Sequence, residues 1–139
     1  MAGGDGSDAA LVAAVASGGV VGTALRYAVA RFAPVAAGTF PASTLLVNAT
    51  GSAALGLLMA ALARPGRATE RWRAFAGTGI VGAFTTFSTF AVEVDRLFAV
   101  SRAGLAVTYV GLSVVVGLGA AAVGLMAGRR VWRLVDPPT

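Results

Sequence analysis

Charge is missing from four long stretches of this chain, and that absence decides what the chain can fold into. Ala9 to Leu25, Phe32 to Ala63, Ala74 to Val92 and Ala103 to Gly128 hold no Asp, Glu, Lys or Arg. A helix needs about 20 apolar residues, at roughly 1.5 Å each, to cross the hydrocarbon core of a bilayer. The first run extends past Arg26 towards Phe32. Pro34, Gly38 and Pro41 break the start of the second, so its span begins near Ala42 and stops at Arg64-Pro65-Gly66. The third follows Arg71-Trp72-Arg73 and closes with Glu93, Asp95 and Arg96, and the fourth ends in the basic, aromatic stretch Arg129 to Arg133. Trp72 suits the membrane interface, where its ring sits among headgroups.

Composition agrees with this layout. The chain has 139 residues, 57% hydrophobic and only 12% charged, with a mean hydropathy of +0.80, too few charges to cover a water-facing globule. The expected fold is an all-α integral membrane protein of four transmembrane helices, at 9–32, 42–63, 73–98 and 103–128. It is a single membrane domain over 1–139, with nothing left for a soluble one. The first run is read as a mature span rather than a signal peptide, because Asp5 and Asp8 precede it where a basic n-region belongs. Cysteine and histidine are absent, which removes disulfides, thiol nucleophiles and the usual zinc sites. The net charge of +5 belongs to arginines that flank spans and meet lipid headgroups, so no nucleic-acid partner is expected.

Basic residues give only a slight orientation. Arg64, Arg67, Arg71, Arg73, Arg129, Arg130 and Arg133 fall on the side of the two termini, against Arg26, Arg31, Arg96 and Arg102 on the other. This leans towards termini in the cytoplasm. A chain with so small a bias can insert either way and form an antiparallel, dual-topology dimer with itself. Small residues spaced four apart, at Gly18 and Gly22, Ser52 and Gly56, and Gly124 and Gly128, allow close helix approach in lipid and favour association.

The chemistry is concentrated in the third span. Gly77, Gly79 and Gly82 are followed by four hydroxyl residues interleaved with Phe84, Phe87 and Phe90. Glycine costs about 1 kcal/mol relative to alanine in a helix, and Ser and Thr compete for the backbone. A break is therefore expected near Gly82 to Thr86. Non-helical backbone at membrane depth survives only where protein, water or an ion satisfies its freed groups. Freed carbonyls suit a small hard cation, and freed amides suit an anion. Phe87 and Phe90 share a face that continues to Glu93. Such a stripe either meets lipid and packs a core, or turns its positive ring edges towards an anion, with Ser88 and Thr89 hydroxyls beside them.

These residues resemble the CrcB/Fluc fluoride channel family. The likeness lies in Gly22-x3-Arg26-Tyr27, in Thr44-Leu45-Leu46-Val47-Asn48 with Gly51, and above all in Gly82-x2-Thr85-Thr86-Phe87-Ser88-Thr89-Phe90-x2-Glu93. The resemblance runs through all four spans. It implies a fluoride-selective channel that exports fluoride passively across the cell membrane, built as an antiparallel dimer with two pores and a structural sodium ion (Na+) at its centre. By match to the motif, the main-chain carbonyls of Gly82 and Thr85 hold the sodium, Phe87 and Phe90 line the pore, and Asn48 donates its amide near them. Tyr109 and Ser113, four apart, resemble the family's polar track, which meets Gly117 where members can carry another hydroxyl. Ser43 stands where the second-span motif often has glycine.

Two residues keep two readings. Arg26 concentrates anions at a vestibule or simply anchors the end of its helix. Glu93 gates or shapes the exit, or is an interfacial carboxylate paired with Arg96. Fluoride selectivity requires replacing strong hydration with hydrogen-bond donors and ring edges, and Asn48, Ser88, Thr89, Tyr109 and Ser113 are the candidate donors. Homodimer and heterodimer with a paralogous subunit are both compatible with the arginine bias. The alternative function is a small four-span multidrug transporter, which needs a membrane-embedded carboxylate; none falls inside the four uncharged runs.

Overall fold

The computed structural model describes residues 5–63 and 70–135. They form α1 (Asp5–Phe32), α2 (Ala42–Leu62), α3 (Glu70–Arg73), a π-helical segment (Ala74–Val81), α4 (Gly82–Phe84), α5 (Phe87–Ala99) and α6 (Ala103–Val135). Four helical stretches are long and apolar enough to cross a membrane: Gly6–Phe32, Ala42–Leu62, Glu70–Ala99 and Ala103–Arg133. Arg64 and Arg67, used in the orientation count, lie outside the described residues.

Helix pairing follows the small residues. α1 lies along the π segment and α4, while α2 lies along α6. A Cβ on Gly79 would come within 2.8 Å of Gly18 Cα, and one on Gly22 would run into the carbonyl of Ile80. At the other seam, a Cβ on Gly56 would meet the Ala121 carbonyl and one on Gly124 the Ala53 carbonyl, while Gly128 faces Ala60. Backbone-to-backbone contact of this kind supplies dispersion contacts where lipid leaves no hydrophobic driving force. The paired small residues expected to join two chains are thus used within one.

The third span departs from a simple helix in two places. Its first limb widens into π geometry over Ala74–Val81, and the Gly82 N–H ends this segment on the carbonyls of Gly77 and Gly79. Gly82 itself is helical (φ −62°, ψ −37°). The break falls at Thr85 (φ −74°, ψ 159°) and Thr86 (φ −148°, ψ 123°), at the centre of the span and within the stretch from Gly82 to Thr86 where it is expected. α5 then restarts at Phe87 and packs on α6, where Leu97, Ala106 and Tyr109 form a buried cluster with Phe40, Leu45 and Phe90 against it.

α5 ends in a left-handed cap. Ser101 (φ 60°) donates its N–H to the Phe98 carbonyl, and Arg102 donates to Leu97 at 2.8 Å. This is the Schellman arrangement, with serine where glycine is usual.

Candidate functional site

Asn48 holds the break together. Its Nδ2 donates to the Thr86 carbonyl at 2.9 Å, and its Oδ1 accepts the Thr86 N–H at 2.8 Å. One side chain from α2 therefore satisfies the N–H that the interruption frees, as a low-dielectric environment demands, and adds a second bond to the carbonyl that opens α5. The Thr86 side chain caps the restarted helix: its Oγ1 accepts the Thr89 N–H at 3.1 Å and donates to Thr89 Oγ1 at 3.0 Å. Ser88 Oγ lies 3.3 Å from the same oxygen.

The break leaves the carbonyls of Gly82, Ala83, Phe84 and Thr85 without their regular partners, and for Gly82 and Thr85 the donor is diverted to a side chain. In an unbroken helix the Gly82 carbonyl would take the Thr86 N–H and the Thr85 carbonyl the Thr89 N–H. The first goes to Asn48 and the second to Thr86 Oγ1. Thr85 sends its own N–H and hydroxyl to the Val81 carbonyl. Among the described residues no cluster of three His, Cys, Asp or Glu side chains gathers.

A cavity of about 390 Å³ opens beside the break, lined by residues that include Asn48, Ser52, Phe87, Phe90, Ser113 and Gly117. Of the candidate residues, Asn48, Phe87, Phe90 and Ser113 are brought together here. The Phe87 and Phe90 ring centroids are 5.8 Å apart, and Phe90 is 5.1 Å from Tyr109. Phe87 is 80% exposed at mid-span. Ser113 Oγ is buried with no hydrogen-bond partner among the described residues.

The other predicted residues sit around this cavity rather than in it. Tyr109 is fully buried, and its hydroxyl donates to Glu93 Oε2 at 2.8 Å while Thr44 donates to Oε1 at 2.8 Å. Glu93 therefore turns inward between α2 and α6. The helical stretch Glu70–Ala99 carries Glu93 and Asp95 just beyond its uncharged run, so the lack of carboxylates within that run does not by itself exclude a multidrug transporter. Arg26 shares a smaller pocket with Ser43, Thr44, Thr86 and Thr89. Ser88 and Thr89 are exposed on the capping side of α5.

A family model described as CrcB-like protein, Camphor Resistance (CrcB), matches residues 13–125. The chain belongs to the CrcB-like family. A relative from Deinococcus radiodurans, named a fluoride-specific ion channel FluC, is 48% identical over 119 residues, covering 84% of this chain and 94% of its own. Another from Streptomyces coelicolor, named fluoride-specific ion channel FluC 1, is 41% identical across 91% of this chain and 84% of its own. One from Agrobacterium fabrum, also named a fluoride-specific ion channel FluC, is 40% identical across 87% and 98%. With its four apolar spans, this CrcB-like chain is a multi-pass protein of the cell membrane. Family membership, rather than the placement of carboxylates, separates it from a multidrug transporter.

Two residues of this CrcB-like site escape a reading of the sequence alone. Thr86 is the centre of the hydrogen-bond network, and a threonine three residues before a polar N3 position is a recognisable cap signal. Thr44 meets Glu93 across 49 positions of sequence, a pairing no local pattern carries.

Proposed function

We propose that this protein is one subunit of a fluoride-selective channel, not an enzyme, and that it lets fluoride leave the cell passively and lowers its cytoplasmic concentration. The observation that carries this reading is the mid-span break clamped by Asn48 beside a cavity of ring edges and hydroxyls. Relatives named for fluoride conduction support it.

Fluoride is small and strongly hydrated, so a path must replace its water with donors. Asn48 keeps a second amide N–H beyond the one given to Thr86, and Ser113 offers an unpartnered hydroxyl. Phe87 and Phe90 supply positive ring edges. No formally charged residue lines the cavity, so an entering ion is not trapped. Arg26, in its pocket beside Thr89, raises the anion concentration at one approach. Glu93, held by Thr44 and Tyr109, shapes the far end.

The working unit in this proposal is an antiparallel dimer, of identical chains or with a paralogous partner. Support comes from Phe87 and Gly82, both exposed at the middle of the third span, where a second copy would cover them. The released carbonyls of Gly82 and Thr85 suit a hard cation. A sodium ion held there by both copies would neutralise the converging carbonyl dipoles and tie the subunits together.

Liposomes carrying the purified chain provide the test of the pore assignment. Phe87→Ile and Phe90→Ile remove the ring edges while keeping apolar bulk, and each is expected to cut fluoride efflux by at least tenfold in protein that still folds. Unchanged efflux in both variants would remove the phenylalanines from the path.

A further inference from the structure

Two hydroxyls from different helices face the cavity without partners, and one of them has no role so far. Ser52 lies one helical turn beyond Asn48 on α2, and Ser113 lies one turn before Gly117 on α6; all four line the same cavity. Residues four apart share a helix face, so each helix contributes a two-residue strip to this wall. Ser113 Oγ is buried and unpaired. Ser52 Oγ likewise takes no hydrogen bond among the described residues, although a helical serine usually bonds back to its own helix, as Ser17 and Thr50 do here. At Gly117 the α6 strip has no side chain, and the space is filled from the opposite helix: a Cβ built on Gly117 would stand 3.9 Å from Ser52 Oγ.

We infer that Ser52 is a pore-lining donor that takes the place of a hydroxyl at position 117, forming with Ser113 a second hydrogen-bonding station for the anion one turn beyond Asn48. The inference rests on the fluoride-channel reading and adds to it a residue and a location. A buried hydroxyl in a low-dielectric wall costs free energy unless something polar reaches it. Ser113 Oγ is such a group, and with the half-buried Ser52 converging on the same cavity it marks a place where a hydrated or partly dehydrated anion pauses. Gly117 makes room, and the α2 serine supplies the proton.

The test is fluoride efflux from proteoliposomes with a rescue arm. Ser52→Ala is expected to slow efflux by about tenfold, the loss of one hydrogen bond to a charged species, with the melting temperature in detergent unchanged. Adding Gly117→Ser to Ser52→Ala returns a hydroxyl to the same space, where 3.9 Å of clearance admits it, and should restore most of the rate. Gly117→Ala in that background should not. The inference is overturned if Ser52→Ala conducts like the parent, or if it slows efflux and Gly117→Ala rescues as well as Gly117→Ser, which would make position 52 a packing site. A parent chain that moves no fluoride refutes the channel reading itself. A conducting parent with an indifferent Ser52→Ala refutes only the second station.

Discussion

Replacing Asn48 with alanine removes both hydrogen bonds that tie Thr86 to α2, at 2.9 and 2.8 Å. The Thr86 N–H then has no helical partner to return to, because Thr86 is extended (φ −148°, ψ 123°), whereas its C=O, at the N-cap of α5, still accepts the first bond of that helix. Thr86 is 8% exposed, so little water reaches it. An orphaned buried polar group costs about 1–3 kcal/mol, which is the loss expected for the Thr86 N–H. Water entering from the adjoining cavity sets the lower end of that range. Hydrogen exchange reads the effect where it arises: the Thr86 amide should exchange faster by roughly tenfold for each 1.4 kcal/mol lost, and so by about five- to a hundredfold. Unfolding in detergent should report the same destabilisation. If the Thr86 amide keeps its protection in Asn48→Ala, or the variant loses less than about 1 kcal/mol, the clamp is not what holds the break.

Three further substitutions probe separate parts of the fold. Gly22→Ala drives a Cβ into the Ile80 carbonyl, whereas Gly19→Ala meets nothing within 4 Å; the first should lower stability by about 1–3 kcal/mol and the second should not, as read by thermal unfolding. Ser101→Gly relieves a left-handed φ of 60° and should stabilise the chain by about 1 kcal/mol, visible as a small rise in melting temperature. Tyr109→Phe deletes the donor to Glu93 Oε2 and should cost about 1.5–3 kcal/mol, with the Phe40 and Phe90 ring contacts kept.

The four spans are legible because hydropathy and charge placement act locally, and the structure keeps them close to where the uncharged runs lie. Much of the third span is not, because neighbours decide it. Its glycines suggest a break, yet Gly77 and Gly79 sit in π helix and Gly82 in α helix. Their small size serves the close approach of α1, as Gly79 against Gly18 demonstrates. Within the expected stretch the interruption settles on the hydroxyl residues Thr85 and Thr86, where an α2 side chain gives the Thr86 N–H a partner that the helix does not. Glu93 is a similar case. It closes an uncharged run and so reads as interfacial, but donors from Thr44 and Tyr109 make an inward position tolerable. The cavity residues Asn48, Phe87, Phe90 and Ser113 were legible through a motif, whereas Thr44 and Ser52 depend on which helices pair.

The central claim is selective anion conduction by this chain, and ion release from liposomes reconstituted with it alone measures that most directly. Vesicles loaded with fluoride and chloride, diluted into a medium free of both with the membrane potential clamped by a cation ionophore, should release fluoride within seconds to minutes and keep their chloride. Equal release of both ions, or retention of fluoride by vesicles that demonstrably contain folded protein, would contradict it.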